Sequence, residues 1–170
     1  MIINVNRKYL EIKNLDNLIE VKKPNYSCKV DLVNPPDFHL NKFFYKQIGG
    51  KHRWIDRLIW EDKKWIDYIE KSNVKTYVLR DNEELIGYFE QIFEKDKVNC
   101  EIAYFGILEN FIGKKYGGYL LTEAIKKSFS SNAKRVWVHT SSLDHPNALK
   151  NYLARGMKIF KSETIGVEKS

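Results

Sequence analysis

The stretch EIAYFGILENFIGKKYGGYLLTEAIKKSFSSNAKRVWVHTSSLDHPNALKNYLARGM, residues 101–157, decides the fold. Its opening, EIAYFGIL, is a short and nearly continuous apolar run, the pattern of a strand covered on both faces. ENFIGKKYGGYLLTEAIKK follows as a glycine-bearing loop that opens a helix, with Leu120, Leu121, Ala124, Ile125 and Phe129 at helical spacing. KRVWVHTSS is a second apolar strand. HPNALKNYLARGM is a short helix that buries Ala148, Leu149, Tyr152 and Leu153 and stops before Gly156. Strand, helix and strand in this order form a crossover unit, which requires the two strands to be parallel.

Working outward, the preceding residues read as an antiparallel meander. KTYVLR and ELIGYFEQIFE are strands around the turn Asp81-Asn82. SCKVDLV is another strand, stopped by Asn34-Pro35-Pro36, because adjacent prolines cannot continue a ladder. Residues 38–48 have a helical pattern ended by Gly49-Gly50, and a second helix runs from Glu61 to Lys71 with Trp65, Ile66 and Ile69 on one face. MIINVNRKYLEI alternates well enough for an edge strand, and KIFKSE and TIGVEK close the chain as two short strands. The expected class is mixed α/β, in a single domain over residues 1–170.

Composition narrows the function classes. With 43% hydrophobic and 14% aromatic residues the chain can bury a core and is not of the disordered class. Its two cysteines, Cys28 and Cys100, lie far apart with no CxxC, which excludes a disulfide scaffold and points to a reducing, cytoplasmic compartment. No cleavable leader and no apolar run of membrane-spanning length is present in the sequence. The net charge of +7 is scattered rather than blocked. It suits a ligand with several phosphates and argues against nucleic acid as the partner.

Around the helix start, Gly113, Gly117 and Gly118 flank Lys114, Lys115 and Tyr116. The first N–H groups of a helix have no intrahelical partner, and the helix dipole favours negative charge there. Glycine lets backbone approach a phosphate, and two lysines add positive charge. This is not a Walker A loop, because no Ser or Thr follows the lysine in the required place. Glycines at a helix start also occur with no ligand at all.

IGKKYGGYLL, preceded by a strand and followed by HPNALKNYLARGM, resembles the signature of the GNAT acetyl-CoA-dependent N-acetyltransferases. Their loop is written Q/R-x-x-G-x-G/A. Ile112 stands at the Q/R position, Lys115 at the first glycine and Gly117 at the second, so two of three key positions depart. The later pattern N-P-x-A-x-x-x-Y-x-x-x-G-F is met by His145, Pro146, Ala148, Tyr152, Gly156 and Met157, with His for Asn and Met for Phe. The resemblance is good over Lys75 to Lys161 and loose before that.

The resemblance implies a GNAT fold: a central mixed, mostly antiparallel sheet that splays between two parallel strands, with helices on both faces. It implies acetyl-CoA as cosubstrate and an amine, on a small molecule or a protein, as acceptor, in a monomer or homodimer. Backbone groups of Phe105, Gly106 and Ile107 would hold the pantetheine arm. The loop Gly113, Lys114, Lys115, Tyr116, Gly117 and Gly118 would hold the pyrophosphate, with His145 at the position of a cofactor-contacting Asn. If φ is positive at Lys115, its Cβ costs about 1 kcal/mol.

An alkylammonium must lose a proton before it attacks a thioester, and the departing thiolate gains from an acid. Tyr152 matches the family tyrosine that serves as that acid; the same position also suits a core tyrosine. Glu101 falls where some members carry a catalytic glutamate, and an acidic residue inside an apolar run needs a reason, although a strand-end ion pair is also one. Glu90, in GYFEQ, is the second candidate base. Where other members carry a glutamate on the next strand this chain has Thr140, and alternation turns the neighbouring His139 to the opposite face. The segment GGKHRWIDRLIWED between the first two helices carries Trp54, Asp56, Arg57 and Trp60, residues that suit either an acceptor cleft or the core. Ile112, Lys115 and His145 also leave open an acyl-CoA-binding module without turnover.

Overall fold

Among the described residues seven strands form one sheet in the order β2-β3-β4-β5-β6-β1-β7, and every neighbouring pair except β5–β6 is antiparallel. The structure, a computed structural model, describes residues 1–96 and 98–168. The strands are β1 (Ile2–Ile12), β2 (Cys28–Leu32), β3 (Val74–Asp81), β4 (Glu84–Phe93), β5 (Asn99–Ile107), β6 (Arg135–Ser141) and β7 (Lys158–Glu168). The helices are α1 (Phe38–Gly49), α2 (Asp62–Ile69), α3 (Tyr116–Ser130) and α4 (Pro146–Ala154). The mixed α/β class is as the sequence predicts, and the parting of the sheet at its parallel pair is what the family resemblance implies.

Strand alternation sorts the core onto two sides. Leu79, Phe89, Ile102, Val136 and Val138 pack with Leu120, Leu121, Ala124 and Ile125 of α3, and Tyr152 of α4 joins them. On the opposite face Val78 and Tyr88 pack with Phe44 of α1, whose ring stacks on Tyr88 at 4.8 Å. Burying side chains of this size contributes about 1.5–3 kcal/mol each. Cys28 and Cys100 are buried free thiols. Among the described residues no helix is long and apolar enough to cross a membrane.

Two expectations are corrected. β1 is not an edge strand: it pairs with β6 on one side and β7 on the other. The cause is β7, which returns antiparallel along the whole of β1 and becomes the edge itself. KIFKSE and TIGVEK are one strand, interrupted only by a bulge where Tyr9 faces Lys161 and Leu10 faces Ile159; Lys169 lies outside the described residues. The turn after Asp81 puts both Asn82 and Glu83 at positive φ, the left-handed pair that a two-residue hairpin demands.

Candidate active site

β5 and β6 are paired through only three positions, Asn99↔Arg135, Cys100↔Val136 and Glu101↔Trp137. Beyond them β5 stays on β4 while β6 stays on β1. The register of β5 on β4 shifts between Glu90↔Tyr104 and Gln91↔Ile102, which leaves Ala103 as an extra, bulged residue. The bulge bends β5 away from β6 and puts Glu101 and Tyr104 on one face, that of α1 and α2. From Ile102 to Ile107 the β5 edge facing β6 has no strand partner among the described residues. This edge includes Phe105, Gly106 and Ile107. A Cβ on Gly106 would meet Ile48 Cγ2 at 2.6 Å, so only glycine lets α1 lie this close.

Glu101 stands at the point of divergence and is half-buried. Burial raises its carboxyl above the usual range, the nearby Glu94 carboxylate raises it further, and Arg57 opposes the rise. Tyr152 approaches from the other face, 5% exposed, its ring edge-on to Phe105 at 6.2 Å. Burial first, and the charge of Asp144 second, push its phenol well above the ordinary tyrosine value.

The start of α3 has the conformation that its glycines suggest, with one substitution. Gly113 has φ +83°, and Lys115, at the N-cap, has φ 72° with a Cβ that must bear the left-handed strain. Gly113, Lys114 and Lys115 are exposed. Tyr116 turns inward instead, and its hydroxyl donates to Asp81 at 2.7 Å. Ser27 and Asn25 also donate to Asp81, and hydrogen bonds from Ser27, Tyr116 and Asn25 bring its carboxyl down to about 2.

The sequence reading missed the link from α4 to this loop. Asn151 Nδ2 donates to the Gly117 carbonyl at 3.0 Å, and Arg155 Nη1 donates to Asn151 Oδ1 at 3.1 Å. Any side chain at Gly118 would collide with the Arg155 guanidinium. Arg155 Nε is buried with no hydrogen-bond partner among the described residues. A guanidinium at the positive end of a helix is unfavourable alone and favourable beside an anion. The spacing of Asn151 and Arg155, one helical turn, was the signal in the sequence. His145 caps α4: its Nδ1 accepts from the Asn147 amide at 3.0 Å, and its ring lies 5.8 Å from that of His52.

The segment between α1 and α2 spans the gap between the diverging strands. Lys51 pairs with Glu109 beyond the end of β5 at 2.5 Å. His52 Nδ1 lies 3.2 Å from the Leu143 carbonyl beyond β6, Trp54 Nε1 donates to Asp144 at 3.5 Å, and Arg53 reaches the Glu168 carbonyl. Trp54 is half-buried against Tyr104, 4.9 Å between ring centroids, while Asp56 is exposed. Arg57 and Glu90 are 6% and 0% exposed and face each other at 3.0 Å. Tyr68 Oη and Asn41 Nδ2 also donate to Glu90, at 2.7 and 3.0 Å. Trp60, Tyr45, Trp65, Tyr68 and Tyr104 surround the guanidinium, with centroids 4.2–5.8 Å away. Thr140 is buried and donates to Asp144 at 2.5 Å, and His139 faces the other way.

Residues 38–157 match the model of a family described as Acetyltransferase (GNAT) family. No curated protein matches the chain. Among solved structures it is similar to a GCN5-related N-acetyltransferase from Kribbella flavida, with TM-score 0.69 and 13% identity, over 99% of this chain and 61% of that one. It is similar to a GCN5-related N-acetyltransferase from Sphaerobacter thermophilus, with TM-score 0.75 and 12% identity, over 95% of this chain and 50% of that one. The chain thus spans 61% and 50% of the length of these two proteins. An aminoglycoside acetyltransferase from an uncultured soil metagenomic sample, in complex with trehalose, matches with TM-score 0.65 and 12% identity, over 78% of this chain and 90% of that one. At these identities the likeness is one of fold.

Proposed function

The chain belongs to the acetyltransferase (GNAT) family, and from that premise we propose that it transfers an acetyl group from acetyl-CoA to a primary amine by direct attack in a ternary complex. The observation that carries this is the divergence of β5 from β6, with Glu101 beside its apex and Tyr152 beneath it. Acetyl-CoA, when bound, supplies an activated thioester. The unpartnered backbone of Phe105, Gly106 and Ile107 offers strand-like hydrogen bonds to its amide-bearing arm. An amide there also polarises a carbonyl on which negative charge develops.

The α3 start fits a pyrophosphate. Its first amides lack helical partners, Gly113 and Lys115 are already left-handed, and Lys114 and Lys115 are exposed cations. Tyr116 contributes its amide and no side chain, because its hydroxyl is held by Asp81. Arg155 adds a cation whose buried Nε has no hydrogen-bond partner among the described residues. His145 holds the end of α4 and thereby the orientation of Tyr152.

Glu101 takes the proton of the incoming ammonium. Its raised carboxyl suits a base better than an ordinary glutamate does. Glu90 is the weaker candidate, because Arg57, Tyr68 and Asn41 already occupy its oxygens. Tyr152 remains protonated at neutral pH and gives its proton to the departing thiolate. Trp54 and Asp56 border the acceptor side, and Arg57 with Trp60 hold that segment down.

The test is thiol release from acetyl-CoA with a panel of amines, alongside direct measurement of CoA binding. Turnover with at least one amine is expected. Tight CoA binding with no turnover on any amine would instead establish an acyl-CoA-binding module, the reading that Ile112, Lys115 and His145 favour.

A further inference from the structure

The face of β6 and β1 that continues outward from Glu101 is lined with rings. Val136, Val138 and Thr140 are buried towards α3, so Trp137 and His139 point to the other side. There Tyr9 lies 6.3 Å from Trp137, 5.6 Å from His139 and 6.1 Å from Phe160, centroid to centroid. α1 and α2 pack over β5 and β3, which leaves this strip accessible: His139 is exposed, and Phe160 is 43% exposed. The Trp137 indole is held in place, its Nε1 donating to Glu94 Oε1 at 2.8 Å.

Glu94 and Glu101 lie at the end of the strip next to the strand divergence, and among the described residues neither belongs to an ion pair. Further out the charges are paired: Arg135 lies over the Phe160 ring at 4.8 Å and bridges Glu11 at 3.0 Å, and Lys161 lies over the Tyr9 ring at 4.9 Å and pairs with Glu163 at 3.5 Å, to which the Tyr9 hydroxyl also donates.

We infer that this strip is the acceptor platform, and that the acceptor is a primary amine joined by a short alkyl linker to an aromatic ring. The inference rests on the acetyltransferase reading above. Glu101 and Trp137 are register partners on neighbouring strands, about 4.8 Å apart. An amine nitrogen at Glu101 therefore places a ring two or three carbons away over the fixed indole, where an offset or edge-on contact is favourable. Glu94 and Glu101 together attract the ammonium.

The experiment compares kcat/KM for phenethylamine, n-propylamine, spermidine, a lysine-containing peptide and an aminoglycoside, in wild type, Trp137→Leu and His139→Ala. Phenethylamine is expected to exceed n-propylamine and spermidine by about tenfold or more. The phenethylamine to n-propylamine ratio should fall in Trp137→Leu, mainly through KM. His139→Ala, at an exposed site, should lower it in the same direction and covers the case in which Trp137→Leu does not fold. Acetylation of spermidine, the peptide or the aminoglycoside at equal or higher kcat/KM, or a ratio unmoved in both variants, overturns the platform and leaves the acetyltransferase reading standing. Absence of thiol release with every amine removes both.

Discussion

Arg57 grips Glu90 with one nitrogen against both carboxylate oxygens, at 3.0 and 3.1 Å, and the pair is closed off from solvent under five aromatic rings. The two residues lie 33 positions apart in the chain, so the pair ties the segment between α1 and α2 to the middle of the sheet. Removing one partner strands a buried charge. Arg57→Met should cost about 3–5 kcal/mol of stability in urea unfolding, and Arg57→Met with Glu90→Leu less than the two single losses summed. Additive losses would show that the pair is not coupled.

Lys115→Gly should stabilise the fold by up to about 1 kcal/mol, because it removes a Cβ from a left-handed position. The same change deletes an exposed ammonium from the proposed pyrophosphate loop, so CoA should bind several-fold more weakly. A thermal melt and a CoA titration on the same protein read the two effects separately. Equal or tighter CoA binding would show that the lysine contributes nothing to the phosphates.

Glu101 gives a pH signature of defined sign. A base acts when deprotonated, so the rate should rise with pH through a carboxyl lying above the ordinary glutamate range. Burial is the larger cause of that rise and the Glu94 charge the next. Glu94→Gln should therefore move the acid limb of kcat/KM to lower pH without abolishing it, and Glu101→Gln should remove that limb and depress the rate most above it, where the wild-type carboxylate is ionised. The raised carboxyl also opposes stability as pH climbs through its folded-state value, since the unfolded chain ionises it more easily. Glu101→Gln should therefore raise Tm more at pH 8 than at pH 4. A Tm change equal at both pH values would contradict the shift.

Tyr152→Phe should lower kcat while CoA affinity and the melting curve stay close to wild type. Burial holds the phenol protonated, and the change removes only its hydroxyl while leaving the ring packed. Single-turnover kinetics with a saturating amine would isolate the chemical step. An unchanged rate would return Tyr152 to a packing role against Phe105.

Asp81 joins β3 to the α3 start through Tyr116, Ser27 and Asn25. Its carboxyl is brought down to about 2, so its contribution to stability is fully present above the ordinary aspartate value and is lost as pH falls through about 2. Asp81→Asn should lower Tm at pH 7 and remove that part of the acid sensitivity. A variant as acid-sensitive as wild type would place the sensitivity elsewhere.

The helices, the meander and the crossover were legible because periodicity and turn chemistry are local. Glu101 stood out as an acid inside an apolar run, while Tyr152 and Lys115 stood out through the family resemblance, and the left-handed φ that the reading made a condition at Lys115 is present. What could not be read depends on partners far away in the chain. The bulge at Ala103 follows from the register against β4, which a strand's own sequence does not carry. Arg57 reads as an acceptor-cleft residue and Glu90 as a candidate base until the fold brings them together as a buried pair. β7 has a polar, weakly alternating sequence that hides its length, and without its full length β1 looks like an edge.

The position of β1 between β6 and β7 also sets an order of events during folding. Its partners lie far away along the chain: Asn6 meets Ser142 across 136 residues. The β2–β5 meander, by contrast, closes on near neighbours and can form early. β1 is therefore a strand with nothing local to pair with, and it is exposed to wrong partners until the long-range half of the sheet closes on it. The three residue pairs joining β5 to β6 become the seam where an early, local half is stitched to a late, long-range one.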